Sequence, residues 1–263
     1  TILFAALGTV IGLILLNGPT GSGKTTAIYS ALCHLIDAHG PTISISTVED
    51  PVEFNLPMIS QSQISKSRGF TYPNALRSLM RQDPEAIMIG EIRDPETAAI
   101  AVQAGLTGHM VISTIHSDST VGVYARLINM EIEPFLLASS ITGVLGLRLL
   151  RTICPHCKTK AQPNPEHLTL LPEAFVEETT FYTGAGCDSC SQTGYLGRVA
   201  VTELLNSSEP LREGVIQKLR TSKLLDIAIE HGMTTLWQNA MAKVQRGITS
   251  LDEVIRVITV NQI

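Results

Sequence analysis

Residues 18 to 25 read Gly18, Pro19, Thr20, Gly21, Ser22, Gly23, Lys24, Thr25. That is the G-x-x-x-x-G-K-[ST] spacing whose backbone N–H groups wrap around phosphate oxygens. Such a loop needs a strand before it and a helix after it, so that successive amides and the positive helix end converge on one anion. Val10 to Leu16 is a short apolar run that predicts a buried strand, and Thr26 to Ala38 has neither Pro nor Gly and predicts a helix. Lys24 is placed to reach the β- and γ-phosphates and the Thr25 hydroxyl to ligate Mg²⁺, with Thr26 completing the loop. The expected chemistry is binding of a nucleoside triphosphate.

Carboxylates come next. Glu49, Asp50 and Glu53 crowd into Val48 to Phe54, directly after a strand-like run. Three like charges on one loop repel unless water or a cation screens them. They suit a group that orients or deprotonates an attacking water and helps hold Mg²⁺; an acidic turn helped by Pro51 is the alternative. Ala86 to Ile89 is an apolar strand that runs into Gly90 and Glu91. Phosphoryl-transfer sites often carry a Mg²⁺-holding Asp here, so with Gly90 in its place Glu91 is expected to act, on metal-bound water or as base.

His109 and His116 bracket Met110 to Ile115, and their odd separation sends them to opposite faces of that strand. His116, at the carboxyl end, is the candidate to face the γ-phosphate, and His109 is left a structural role. Arg77 and Arg81 lie four apart on one helix face. They can stabilise γ-phosphate charge from a neighbouring subunit, or form an ordinary basic surface paired with carboxylates. Cys154 and Cys157, then Cys187 and Cys190, make two C-x-x-C pairs with 29 residues between them. In a reducing compartment this reads as a closed Cys₄ Zn²⁺ site, although the usual interval is roughly 15–20 residues. Reduced thiol pairs or a disulfide are the alternatives. Cys33 reads as a small core residue.

These groups need a scaffold. Thr42 to Val48, Ala86 to Ile89 and Met110 to Ile115 predict strands, whereas Tyr72 to Arg81, Pro95 to Ala104, Val121 to Met130 and Phe135 to Leu150 predict helices. The alternation predicts an α/β fold with a mostly parallel sheet covered on both faces. Ligands then gather at the carboxyl ends of the strands, which is where the polar candidates fall. Composition changes after Leu150, and the chain is read as a nucleotide-binding core over 1–151, a small tetracysteine module over 152–197 and a C-terminal helical region over 198–263. The tetracysteine segment looks too polar and Pro-rich to bury a core, so the metal is expected to supply its fold.

The chain of 263 residues is 44% hydrophobic and 16% charged, with net charge −5 and pI near 5.8. That balance tilts against nucleic acid, whose phosphates are bound mainly by Lys and Arg. Thr1 to Gly23 carries no charge, yet the polar turn from Asn17 shortens it below the roughly 20 apolar residues of a span. It reads as a buried strand in an excised piece of a longer protein, with the cytoplasm as the expected location.

Taken together, these motifs resemble the secretion ATPase superfamily, the motors of type II secretion and type IV pilus assembly. Gly18 to Thr25 looks like its Walker A, Val48 to Phe54 its Asp box, Met88 to Asp94 its atypical Walker B and Thr107 to His116 its His box. The resemblance runs from about Ile11 to the C-terminus and implies a RecA-like P-loop core. It also implies a homohexamer that hydrolyses ATP with Mg²⁺, carries Zn²⁺, and drives inner-membrane platform and linker proteins of the machine. The motor would bind no nucleic acid and touch the inner face of the inner membrane only through partners. The tetracysteine module fits the secretion and pilus-extension branches, and Phe135 to Leu150, Arg151 to Cys157 and Gly247 to Val254 look slightly closer to type II secretion. Gly146 and Leu147 depart from the Ala-Gln usual before Arg148, and the family's N-terminal regulatory domain is not in this chain. Two rival functions are a P-loop nucleic-acid translocase and a zinc-binding scaffold that uses nucleotide as a switch.

Overall fold

The computed structural model describes residues 11–258, excepting the side chain of Lys66. Val10, the first residue of the expected opening strand, lies outside them, as do residues 1–10 generally. Contacts divide the chain into two units, Thr1–Gly146 with Leu204–Met233, and Leu147–Glu203 with Thr234–Ile263. The stretch 198–263 is therefore shared between both units instead of forming one helical region.

In the first unit, β1 (Gly12–Asn17), β2 (Ile45–Glu49), β4 (Ala86–Ile89) and β5 (Met110–Ile115) are buried at every residue. Burial on both faces is why these strands read as unbroken apolar runs. The sheet order is β3-β2-β4-β5-β1-β6-β9, where β3 is Ser60–Gln63, β6 is Ile141–Ile153 and β9 is Tyr195–Asn206. Neighbours from β3 through β5 and β1 to β6 pair in parallel. Parallel pairing puts the carboxyl ends of β2, β4, β5 and β1, in that sheet order, on one edge, each about 5 Å from the next. Helices α1 (Lys24–His39), α2 (Tyr72–Leu79) and α3 (Pro95–Leu106) connect them. Asp94 starts α3 by accepting the Thr97 amide at 2.8 Å, with Pro95 in the first turn. The helices α4 (Gly122–Asn129), α5 (Pro134–Ser140), α8 (Glu209–Ile216) and α9 (Thr221–Glu230) complete this unit.

One expectation fails. Phe135 to Leu150 does not run as one helix: α5 stops at Ser140 and β6 begins at Ile141. Ile141, Thr142, Thr152 and Ile153 are β-branched, and Gly143 and Gly146 disfavour a helix. Because β6 is buried on both faces over most of its length, its apolar run carries no period-2 signal. The polar edge strand β3 has no counterpart among the expected strands, and β9 overturns the start of the expected helical region, since residues 198–206 run as strand.

The second unit holds the short antiparallel pair β7 (Lys158–Lys160) and β8 (Tyr182–Gly184), α6 (Pro165–Leu168), α7 (Glu173–Glu178), α10 (Leu236–Gln245) and α11 (Leu251–Val257). Leu171 and Phe181 of the tetracysteine segment pack with Leu150, Val201, Leu236, Met241 and Val254 in one apolar cluster. The segment therefore shares a core that its own sequence lacks. Glu253, with a fully buried side chain, is clamped by Arg151 (Nε and Nη2 at 2.9 and 2.6 Å) and Arg256 (2.8 and 2.7 Å). Burial opposes ionisation of Glu253, but the Arg256 and Arg151 hydrogen bonds outweigh it and bring its pKa from 4.5 down to about 2. A depressed carboxylate stabilises the fold above its unfolded pKa and loses that contribution as pH falls through the folded one. Glu253→Gln should thus cost on the order of 2–3 kcal/mol near neutrality. In urea unfolding the gap from wild type should close between about pH 4.5 and pH 2; a gap constant across that window contradicts the assignment.

Among the described residues, no helix is long and apolar enough to cross a membrane.

Candidate functional site

The phosphate loop leaves β1 and turns into α1 through glycines in left-handed backbone, Gly21 at φ 78° and Gly23 at φ 94°. Side chains with a Cβ are strained there, so the loop geometry depends on these two positions. Gly23 caps α1 without a side-chain acceptor, and no acidic residue occupies the first turn. The helix N-terminus thus meets the loop with no acidic side chain in its own first turn. Lys24 Nζ donates to Gly18 and Pro19 carbonyls at 2.7 and 2.9 Å, which folds the ammonium back over the loop. Ser22 Oγ is buried with no hydrogen-bond partner among the described residues. An orphaned buried hydroxyl is costly, and a loop that takes an anion gives it a partner.

The neighbouring strand ends supply the other groups. Glu49 ends β2 and is 2% exposed, while Asp50 and Glu53 on the loop after it are exposed. Past β4, Gly90 is pinned on both sides: its N–H donates to Val48 O at 2.8 Å and its carbonyl accepts Thr114 Oγ1 at 2.8 Å. A Cβ at Gly90 would lie 2.7 Å from the Tyr72 hydroxyl. A side chain at 90 would therefore require the Tyr72 hydroxyl to shift. Glu91 follows, largely buried, with Arg93 Nη2 at 2.5 Å. Burial, then the charges of Glu91 and Asp50, push the Tyr72 phenol well above its ordinary value, so it stays protonated beside these acids.

Both histidines flank β5. His116 is exposed at its carboxyl end, and the next amide, Ser117 N–H, donates to Asn17 Oδ1 at 3.0 Å. Buried Asn17 thereby ties the His116 segment to the residue before the phosphate loop. His109 instead packs in the turn after α3, with Nδ1 3.2 Å from Ala104 O, in keeping with its structural reading. Arg77 pairs with Glu96 on α3 at 2.6 Å, and both side chains are about half exposed. Arg77, Arg81 and Glu96 line one open surface groove with Met80 and Gln103. The Asp-box carboxylates and Glu91 are thus gathered on the strand-end edge with the loop, whereas the arginines lie along α2 and just past its end.

In the second unit, the sulfurs of Cys154, Cys157, Cys187 and Cys190 all lie within 4.8 Å of one another, with S···S separations of 3.9, 3.9 and 3.7 Å. A tetrahedron with Zn–S near 2.3 Å requires S···S of about 3.8 Å. None of the four is in a disulfide. At Cys190 burial disfavours the thiolate, but amide donors from Cys187 and Gly194, each at 3.3 Å, outweigh it and hold the pKa below the ordinary thiol value. Amides aimed at sulfur suit a metal-bound thiolate. The cluster is compatible with zinc.

Tyr72, Asn17 and Arg93 had no expected role: Tyr72 reaches Gly90 from α2, while Asn17 stands beside one motif and Arg93 inside another at positions to which no role was assigned.

Over residues 2–256 the sequence matches the family described as Type II/IV secretion system protein. The chain belongs to that family. It is 44% identical over 253 residues to the type IV pilus assembly ATPase PilB of Myxococcus xanthus, covering 95% of this chain and 44% of that protein. It is 43% identical over 246 residues to the type II secretion system ATPase E of Vibrio cholerae, covering 94% and 48% respectively. Near-equal identity to both leaves the slight leaning toward type II secretion undecided. Among solved structures, the pilus retraction motor PilT with bound ADP matches at TM-score 0.70 and 24% identity, over 97% of this chain and 63% of that one. This likeness confirms the α/β fold. The chain spans a little under half the length of these two family relatives.

Proposed function

We propose that this chain is the catalytic core of an ATP-hydrolysing hexameric motor that powers type II protein secretion or type IV pilus assembly. The observation that carries the reading is the single edge on which the phosphate loop, the acidic loop and Glu91 leave the parallel strands β1, β2 and β4 of one sheet, with β5 and His116 between β4 and β1. Gly18 to Thr26 hold the triphosphate, and Lys24 faces the β- and γ-phosphates. The Thr25 hydroxyl and the carboxylates form an all-oxygen donor set suited to Mg²⁺, which when bound neutralises charge on the phosphates. Glu91 and the acidic loop, Glu49 to Glu53, handle the attacking water, and His116 faces the γ-phosphate. The four cysteines hold one structural Zn²⁺, since no coordination position stays open. The motor works in the cytoplasm at the inner face of the inner membrane, through platform and linker proteins. The acidic charge balance disfavours the nucleic-acid translocase.

Arg77 and Arg81 are assigned to the γ-phosphate of a neighbouring subunit, with the Arg77–Glu96 pair opening on assembly; an exposed pair costs little to break, about 0–1 kcal/mol. Mixing Arg77→Ala subunits with Glu91→Gln subunits should restore part of the phosphate release that each lacks alone, because some interfaces then combine intact halves. No recovery at any ratio, with mixed hexamers confirmed, rules out action in trans.

A further inference from the structure

We propose that Glu49 is a positioning residue and not the proton acceptor: with Tyr29 and Gln61 it forms a hub that holds the 52–56 loop, and Glu53 with it, against the phosphate-binding helix. This inference rests on the ATPase reading and deepens it. A proton acceptor needs a lone pair turned toward the water it activates. Glu49 Oε2 accepts the Tyr29 hydroxyl, and Oε1 accepts Thr47 Oγ1 at 2.5 Å and Gln61 Nε2 at 3.0 Å. Of about four lone-pair sites, three are taken, on a residue only 2% exposed.

The same donors continue outward to the loop. The Tyr29 hydroxyl, having given its one proton to Glu49, accepts Glu53 N–H at 3.3 Å, and its ring meets Phe54 edge-on at 4.7 Å. Burial, then the Glu49 hydrogen bond, raise the Tyr29 pKa to about 12, so the direction of this relay is fixed at working pH. Gln61 Nε2 also donates to Phe54 O at 3.3 Å, while its Oε1 accepts Leu56 N–H at 2.6 Å. Gln63 Oε1 accepts Val52 N–H at 3.2 Å. Four loop residues are thereby held by side chains from α1 and β3. Tyr29 sits five residues after Lys24, about 7.5 Å along the helix that begins at the phosphate loop, so displacement of that helix is passed to Glu53.

The test combines hydrogen exchange of the 52–56 amides, which needs no turnover, with steady-state kinetics of the same full chain. Tyr29→Phe keeps the ring and removes the hydroxyl. Loss of one charge-linked hydrogen bond should speed Glu53 amide exchange and lower kcat, each on the order of tenfold, with KM for ATP within about twofold. Should that variant not fold, Gln61→Ala on the half-exposed edge strand should give the same pattern at Leu56. Unchanged exchange, or a raised KM at constant kcat, overturns the hub. So does Glu49→Gln that loses turnover by two orders of magnitude or more with unchanged exchange, because that is the behaviour of an acceptor. A wild-type chain that releases no phosphate contradicts the ATPase reading, while the exchange data still decide the hub.

Discussion

Glu91→Gln should bind ATP with near wild-type affinity and lose turnover by about 10²–10⁴-fold, the range a positioned acid or base contributes. The substitution keeps the volume at the strand end and removes only the charge and proton affinity. Its ion partner Arg93 is 69% exposed, so stranding that guanidinium costs little and the thermal midpoint should hardly move. Lys24→Ala is the complement. It removes the ammonium that leans on the Gly18 and Pro19 carbonyls and is assigned above to the β/γ-phosphates, so binding itself should fail. Equilibrium nucleotide binding and phosphate release measured on both variants separate the two roles. Wild-type turnover in Glu91→Gln removes this residue from the mechanism.

The second large effect concerns the metal. Protein purified without added zinc should carry about one Zn²⁺ per chain on Cys154, Cys157, Cys187 and Cys190, and Cys157→Ser should lose it. The sequence alone suggested that the metal supplies the whole fold of this segment. The structure moderates that expectation, because Leu171 and Phe181 are anchored in the apolar cluster of the second unit. Loss of metal should therefore loosen the knuckles and lower the thermal midpoint without unfolding α10 and α11. The phosphate loop belongs to the other unit, so ATP affinity per folded chain should stay within about twofold, below the effect of one net hydrogen bond. Metal analysis together with a melting curve checks this. Cysteines that remain metal-free in zinc-replete medium end the zinc assignment.

How much of this was readable beforehand follows from physics. The strands β1, β2, β4 and β5 were legible because each is short, rich in apolar or β-branched residues and buried along its length, and is followed by polar or glycine-rich residues. The phosphate loop was legible from its G-x-x-x-x-G-K-[ST] spacing, in which Gly23 takes left-handed backbone that few residues tolerate. β6 was not, because a doubly buried strand and a buried helix share the same apolar run. β3 has no apolar residue at all, being the edge strand Ser60–Gln63, and nothing in its composition marks it. Tyr29, Gln61 and Tyr72 act only after folding brings them to Glu49 and Gly90, so their roles have no local signature. The second unit interleaves 147–203 with 234–263; a composition change at Cys154 marks where a segment starts but not which later helices will cover it.

If the strand-end edge hydrolyses ATP to do mechanical work, this chain releases phosphate steadily on its own. Release should require Mg²⁺, disappear in Lys24→Ala and be unchanged by added DNA or RNA. Nucleotide binding without turnover, or turnover that depends on nucleic acid, would contradict it.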